Sequence, residues 1–391
     1  MSIMENFPDV RIGIIGCGDN LLRKILESVG KVDGVKIVAV ADIYGSLKET
    51  LEVLASRKND DGSLMYSGEL RDNINRLSKM EEEGKIKYFS VNDRDFESDF
   101  FSEVDAVHIS TPNEWHAHYA IMAAKHKMHI LCEKPFVETF NDAVDTNFKI
   151  RMAKGESDIA LIGDVHYLMY GPSQEFLKHM NNELDDLIKS IRGEFIEDRS
   201  YLNERTRVQF SRKGAIHDML VHYVALLHKM GANFTFENCD VKRYIYPNYI
   251  NETAVMSNTG IEGGEGGHGG HYALGCKAEL IAAKGKEYNS KKIIIKLQNK
   301  REIVLNFLSG ERGISDSSGK VWWDKDKINV DPFSEIYKEF RDNVLTRMYG
   351  YGNSVRIHHT LEDSRRDLLV LDKIRDYSTL HDYLEFYQKN G

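Results

Sequence analysis

Residues 10–20, VRIGIIGCGDN, constrain the fold more than any other stretch. The apolar, β-branched run reads as a buried strand. It ends on Gly16 and Gly18, and a helical pattern follows at once, with Leu21, Leu22, Ile25, Leu26 and Val29 at helical spacing. A strand that turns on glycine straight into a helix opens an α/β sheet. Gly16 permits the tight turn, and Gly18 lets a ligand approach the backbone. The helix N-terminus at Asp19 and Asn20 favours an anion such as a pyrophosphate. The third glycine of this fingerprint is Leu21 here, which bears on helix–strand packing rather than on the phosphate site.

The same rhythm continues. Apolar runs at 35–41, 104–109, 128–132 and 159–163 suit strands covered on both faces, with a helix expected near 114–126. This predicts a doubly wound parallel sheet, a Rossmann-type dinucleotide domain over residues 1–160. Residues 57–85 are polar and charge-rich and read as a surface insertion on it, carrying a helix that ends in EEEGK. After about residue 165 the pattern changes. Helices are expected near 173–191 and 216–230, and strands at 240–246, 276–284, 291–298 and 302–308. Residues 332–389 turn helical again. A second domain, 161–391, with an open, mainly antiparallel sheet and helices, is predicted.

The 391 residues, 41% hydrophobic and 29% charged, suit an ordinary globular chain. A net charge of −9 argues against nucleic acid or an anionic membrane as the main partner. Cys17, Cys132, Cys239 and Cys276 are far apart and show no zinc spacing, so they read as free thiols in a reducing compartment, and no metal is expected. No signal peptide and no membrane span are evident, which makes a cytoplasmic location the expectation. Residues 260–270 hold seven glycines and read as a mobile surface loop, or as a lid or partner-contact loop. His268 and His271 beside them are poor metal ligands without a thiol nearby.

Chemistry gathers at strand ends. Asp42 closes the second strand, 26 residues after Gly16, where an acid binds adenosine ribose hydroxyls and repels a 2′-phosphate. NAD is therefore expected ahead of NADP. Ser110-Thr111-Pro112-Asn113-Glu114-Trp115-His116 follows another strand, and Glu133-Lys134-Pro135 the next. Ligands of open α/β sheets bind at such carboxyl ends, so Lys134 is placed at the crevice. Asp218 and His222, at i and i+4, share a helical face on which a carboxylate can hold an imidazole's orientation. Arg199, Arg205, Arg207 and Arg212 form either a solvated basic loop or a clamp for an anionic substrate group. His166, Tyr167 and Tyr170 line a sugar site or belong to the core.

GCGDN, Asp42, STPNEWHAH and CEKPF, in that order, resemble the glucose–fructose oxidoreductase / inositol dehydrogenase / MocA family. GAIHDMLVHYVALLHKMG resembles its G-x-x-x-D-x-x-x-H helix, and LEDSRRDLLVLDKIRDYS its late helix. The resemblance implies an NAD(P)-dependent dehydrogenase or reductase acting on a CH–OH group of a sugar, polyol or sugar derivative. It implies Lys134, Asp218 and His222 as catalytic residues, with Pro112, Asn113 and His116 near the nicotinamide. It also implies a homodimer or homotetramer. Two alternatives stay open within the family: a glycoside hydrolase or epimerase that uses NAD transiently, and a redox-silent sugar sensor.

Overall fold

The computed structural model describes residues 7–58, 64, 68–154, 161–164, 166–183, 188–197, 219–230, 234–245, 250–258, 276–284, 288–308, 313–319, 321–323, 331–350, 357, 359–376 and 378–381. The chain divides into two units: residues 1–164 with 331–365, and residues 165–330 with 366–391.

The first unit is built on a six-stranded sheet. Its strands are β1 (Val10–Ile15), β2 (Val35–Asp42), β3 (Lys87–Ser90), β4 (Ala106–Ile109), β5 (His129–Glu133) and β6 (Leu161–Asp164). They lie in the order β3-β2-β1-β4-β5-β6, with every pair parallel. The strand order reverses at β1, which pairs with both β2 and β4. Ile12, Ile14 and Ile15 are fully buried, each contributing roughly 1.5–3 kcal/mol. The helices are α1 (Leu26–Gly30), α2 (Leu47–Ser56), α3 (Glu69–Glu82), α4 (Phe96–Ser102), α5 (His116–Lys125) and α6 (Phe140–Lys154). Gly13 lets α4 sit directly on β1, because a Cβ there would lie 2.5 Å from Phe100 Cζ.

The predicted doubly wound sheet is present, with two differences. The helix expected in the 57–85 insertion is α3, and it packs onto the unit through buried Ile74 and Leu77, while Asn73 donates to Leu22 O. It lies in the crossover from β2 to β3, a strand too short to stand out in the sequence. The second difference is a chain return. The helix Pro332–Tyr349, assigned by the sequence to the second domain, belongs to the first unit. Its stop is well marked, since Gly350 takes a left-handed φ of 66°.

The second unit carries a nine-stranded sheet. Between α7 (Gly171–Glu183) and the helix Val221–Lys229 runs β7 (Ile188–Glu197). The remaining strands are β8 (Phe234–Ile245), β9 (Ile250–Asn258), β10 (Lys277–Lys284), β11 (Ser290–Leu297), β12 (Glu302–Asn306), β13 (Gly313–Asp316), β14 (Val321–Trp323) and β15 (Ser378–His381). Their order is β14-β13-β12-β11-β7-β10-β9-β8-β15, antiparallel except for β7–β10 and β8–β15. The helix expected to reach residue 191 ends at Glu183, and residues 188–191 open β7 instead. Gly193 is the reason β7 can carry the helix Val221–Lys229: a Cβ there would sit 3.0 Å from both Leu280 and Tyr223. Tyr223 is wholly buried and donates its hydroxyl to Glu194 O at 3.0 Å. The glycine-rich segment 260–270, with His268 and His271, lies outside the described residues. No helix among the described residues is long and apolar enough to cross a membrane.

Candidate cofactor site and catalytic groups

The loop after β1 is held by its neighbours. Gly16 has a φ of +103°, and a Cβ on it would lie 2.6 Å from the carbonyl oxygen of Ser110. Backbone cannot yield there, so only glycine lets the loops after β1 and β4 pass each other. Gly16 N–H donates to Ala41 O, and Cys17 N–H donates to Asp42 Oδ2 at 2.6 Å. Ile43 N–H donates to Asp42 Oδ1 at 2.7 Å. Asp42 is thus fixed by one amide per oxygen, and each oxygen keeps a lone pair for another donor. Burial, then the Asp42 charge, push the Cys17 thiol well above its ordinary range, so it stays protonated and is no nucleophile.

The helix behind the loop begins as a π turn, Leu21–Ile25, and Leu21 is fully buried where the fingerprint has glycine. Asn20 caps no amide with its side chain. Asp19 pairs instead with Arg23, on the exposed surface. A Cβ on Gly18 would meet nothing within 4 Å, so the backbone there faces open space. The Ser110 Oγ and Thr111 Oγ1 atoms are buried with no hydrogen-bond partner among the described residues. Turn, fixed carboxylate, open backbone and unspent hydroxyls all fit a dinucleotide.

Beyond Thr111, Pro112 leads into a single 3₁₀ turn, Asn113–Trp115, and then into α5. β5 ends on buried Glu133, and half-buried Lys134 follows, its peptide to Pro135 cis. His116, expected near the nicotinamide, opens α5 with its ring turned into the protein. It is fully buried, with Nδ1 2.9 Å from Pro135 O and Nε2 2.9 Å from Thr111 O.

One strand deeper, His108 on β4 places Nδ1 2.6 Å from the Tyr337 hydroxyl. Burial foremost, and then the nearby His116, pull its pKa down to about 3. The native state therefore keeps His108 neutral where the unfolded chain, with a pKa near ~6.5, takes up a proton. Its contribution is fully present above that pH and is lost as pH falls toward 3, at about 1.4 kcal/mol per unit. Urea titrations at pH 7 and pH 5 should show the first unit weakened by about 2 kcal/mol at the lower pH on this account. A His108→Gln protein should lose most of that difference; an unchanged difference would refute the assignment.

Residues 10–156 match the model of the GFO_IDH_MocA family, an oxidoreductase family with an NAD-binding Rossmann fold. That match spans the first five strands of the first unit's sheet. Over 148 residues the chain is 24% identical to the levoglucosan dehydrogenase of Pseudarthrobacter phenanthrenivorans, a match covering 37% of each protein. The fold is similar over nearly the whole length to two solved structures. One is the UDP-N-acetylglucosamine 3-dehydrogenase of Acidithiobacillus ferrooxidans, with a TM-score of 0.64, 16% identity, and coverage of 95% of this chain and 98% of that one. The other is the biliverdin reductase of Synechocystis with biliverdin and NADP+, with a TM-score of 0.64, 14% identity, and coverage of 94% and 99%.

The second unit holds the other expected residues. His166 opens a 3₁₀ turn after β6, and His222 is the second residue of the helix Val221–Lys229; both are buried. Their ring centroids are 4.3 Å apart. Tyr167 stacks on His222 at 4.6 Å, and Phe195 and Phe307 pack against Tyr167 in turn. The sequence pointed to His166, Tyr167 and Tyr170 after a strand and, separately, to His222 beside Asp218; the stacking between the two groups could not be read from it, nor could the supporting rings on β7 and after β12. Asp218, Arg199, Arg205, Arg207 and Arg212 lie outside the described residues.

Proposed function

We propose that this protein is an NAD(P)-dependent oxidoreductase, with NAD preferred, that transfers a hydride to or from the CH–OH carbon of a sugar, polyol or sugar derivative. The observation that carries the proposal is the bonding of Cys17 N–H to Asp42 Oδ2, which sets a fixed carboxylate beside the glycine turn. The family match over residues 10–156 supports the cofactor class, and the sugar dehydrogenase among the relatives supports the substrate class. A biliverdin reductase shares the fold, so the fold alone does not choose the substrate.

The amides opening the helix at Leu21 would take the pyrophosphate. Asp42 would accept the adenosine ribose hydroxyls through its spare lone pairs and repel a 2′-phosphate. Ser110, Thr111, Pro112, Asn113 and Glu133 would line the path to the nicotinamide. Bound there, that ring supplies the hydride chemistry. Lys134 would donate to the substrate oxygen and stabilise developing alkoxide charge. His222 would take the hydroxyl proton, with Asp218 orienting it. His166 and Tyr167 would border the substrate, and Arg207 and Arg212 would meet any anionic group on it. A homodimer or homotetramer is proposed through the sheet face that presents half-exposed Ile281, Ile294 and Val304.

Titration of cofactor fluorescence tests the first half: NADH should bind more tightly than NADPH, and the reverse order would refute the role of Asp42. A screen of sugars, polyols and nucleotide sugars, followed by absorbance of the reduced cofactor, tests the second. Net cofactor reduction is the expected result. Product without net reduction would favour the transient-redox alternative, and no turnover despite ligand binding would favour the sensor.

A further inference from the structure

We propose that His116 is a positioning residue that ties the loop after β4 to the loop after β5 and thereby fixes the spacing between Thr111–Asn113 and Lys134. The proposal rests on the reading that these two loops face the nicotinamide and the reacting oxygen. His116 opens α5, and helical side chains lean toward the helix N-terminus. Its ring therefore turns back under the loop that precedes it, out of reach of solvent or ligand.

Both loops are short of backbone donors, because Pro112 and Pro135 have no N–H. Their carbonyls must find partners elsewhere if buried. The imidazole serves both, with one nitrogen 2.9 Å from Thr111 O and the other 2.9 Å from Pro135 O. A neutral ring donates to only one of them, and an imidazolium donates to both. Burial opposes the charged form, while the two carbonyls and the nearby Glu133 carboxylate favour it. Charged, the ring donates to both loops; neutral, it donates to one and packs against the other, and the two carbonyls it spans, those of Thr111 and Pro135, are 24 positions apart in the chain.

Hydrogen exchange followed by mass spectrometry tests this on the protein without cofactor. In His116→Phe, which keeps a ring and loses both nitrogens, the peptides covering 110–116 and 133–138 should both exchange about tenfold or more faster. The peptide covering 35–42 should be unchanged. His116→Gln, whose amide offers two N–H groups, should recover part of the protection, and it serves if the phenylalanine protein does not fold. Loosening of one loop only, or of neither, would overturn the proposal. With NADH and the substrate found by the screen, His116→Gln should lower kcat more than it raises the cofactor Kd, since Gly16 and Asp42 are untouched; equal losses in both would also overturn it. Failure of the wild-type protein to bind either cofactor would remove the functional reading, and the exchange result would still decide whether His116 ties the loops.

Discussion

A Gly16→Ala protein should bind neither NADH nor NADPH measurably, and its first unit should be destabilised by about 2–5 kcal/mol. Two costs combine. Alanine at a φ of +103° is strained, and its Cβ would sit 2.6 Å from Ser110 O and 2.7 Å from Ser110 C. Both atoms are backbone, so relief requires the loops after β1 and β4 to separate. That separation would pull Cys17 N–H away from Asp42 and misplace the amides at the helix start. Chemical denaturation and cofactor titration on the same preparation check both effects. Gly18→Ala is the control, because its Cβ meets no protein atom. It should leave stability within about 1 kcal/mol of wild type and weaken cofactor binding alone. Normal cofactor affinity in Gly16→Ala would mean that the dinucleotide does not use this turn.

Turnover should fall by roughly 10²–10⁴-fold in Lys134→Ala and, separately, in His222→Ala, with cofactor binding retained. Lys134→Arg should not restore it, since a planar fork does not replace a compact ammonium at a single oxygen. His222 is buried and stacked on Tyr167, so alanine there also opens a cavity. His222→Gln fills more of that space and should lose comparable turnover. An unchanged kcat in either His222 variant would remove it as the base. A loss confined to KM would make Lys134 a binding group only.

The part of the site built from local chain was legible in the sequence. Gly16, Gly18 and Asp42 were readable because a glycine turn and a strand-end acid each act through their own backbone position. The α/β alternation was readable for the same reason, as buried parallel strands carry continuous apolar runs. β3 escaped because four residues, KYFS, give no period. The start of β7 was taken for helix because IKSIRGEFIE mixes charges into a strand whose alternation is interrupted at Gly193. His116 was legible by type but its partners were not, since where a ring points depends on the helix it opens and on which carbonyls lie beside it. The stack of Tyr167 on His222 joins residues 55 positions apart, and no spacing rule reaches that far.

The return of the helix Pro332–Tyr349 to the first unit has a consequence for synthesis. His108 emerges from the ribosome 229 residues before its partner Tyr337. At about 5–20 residues per second, the nascent sheet waits roughly 10–50 s for the segment that completes it. Throughout that interval the apolar surface that later receives Ile336, Tyr337, Phe340 and Val344 is uncovered while residues 165–330 of the second unit are being made. A nascent chain stalled before residue 331 should therefore be a better chaperone client, and more readily digested by protease, than one released at full length.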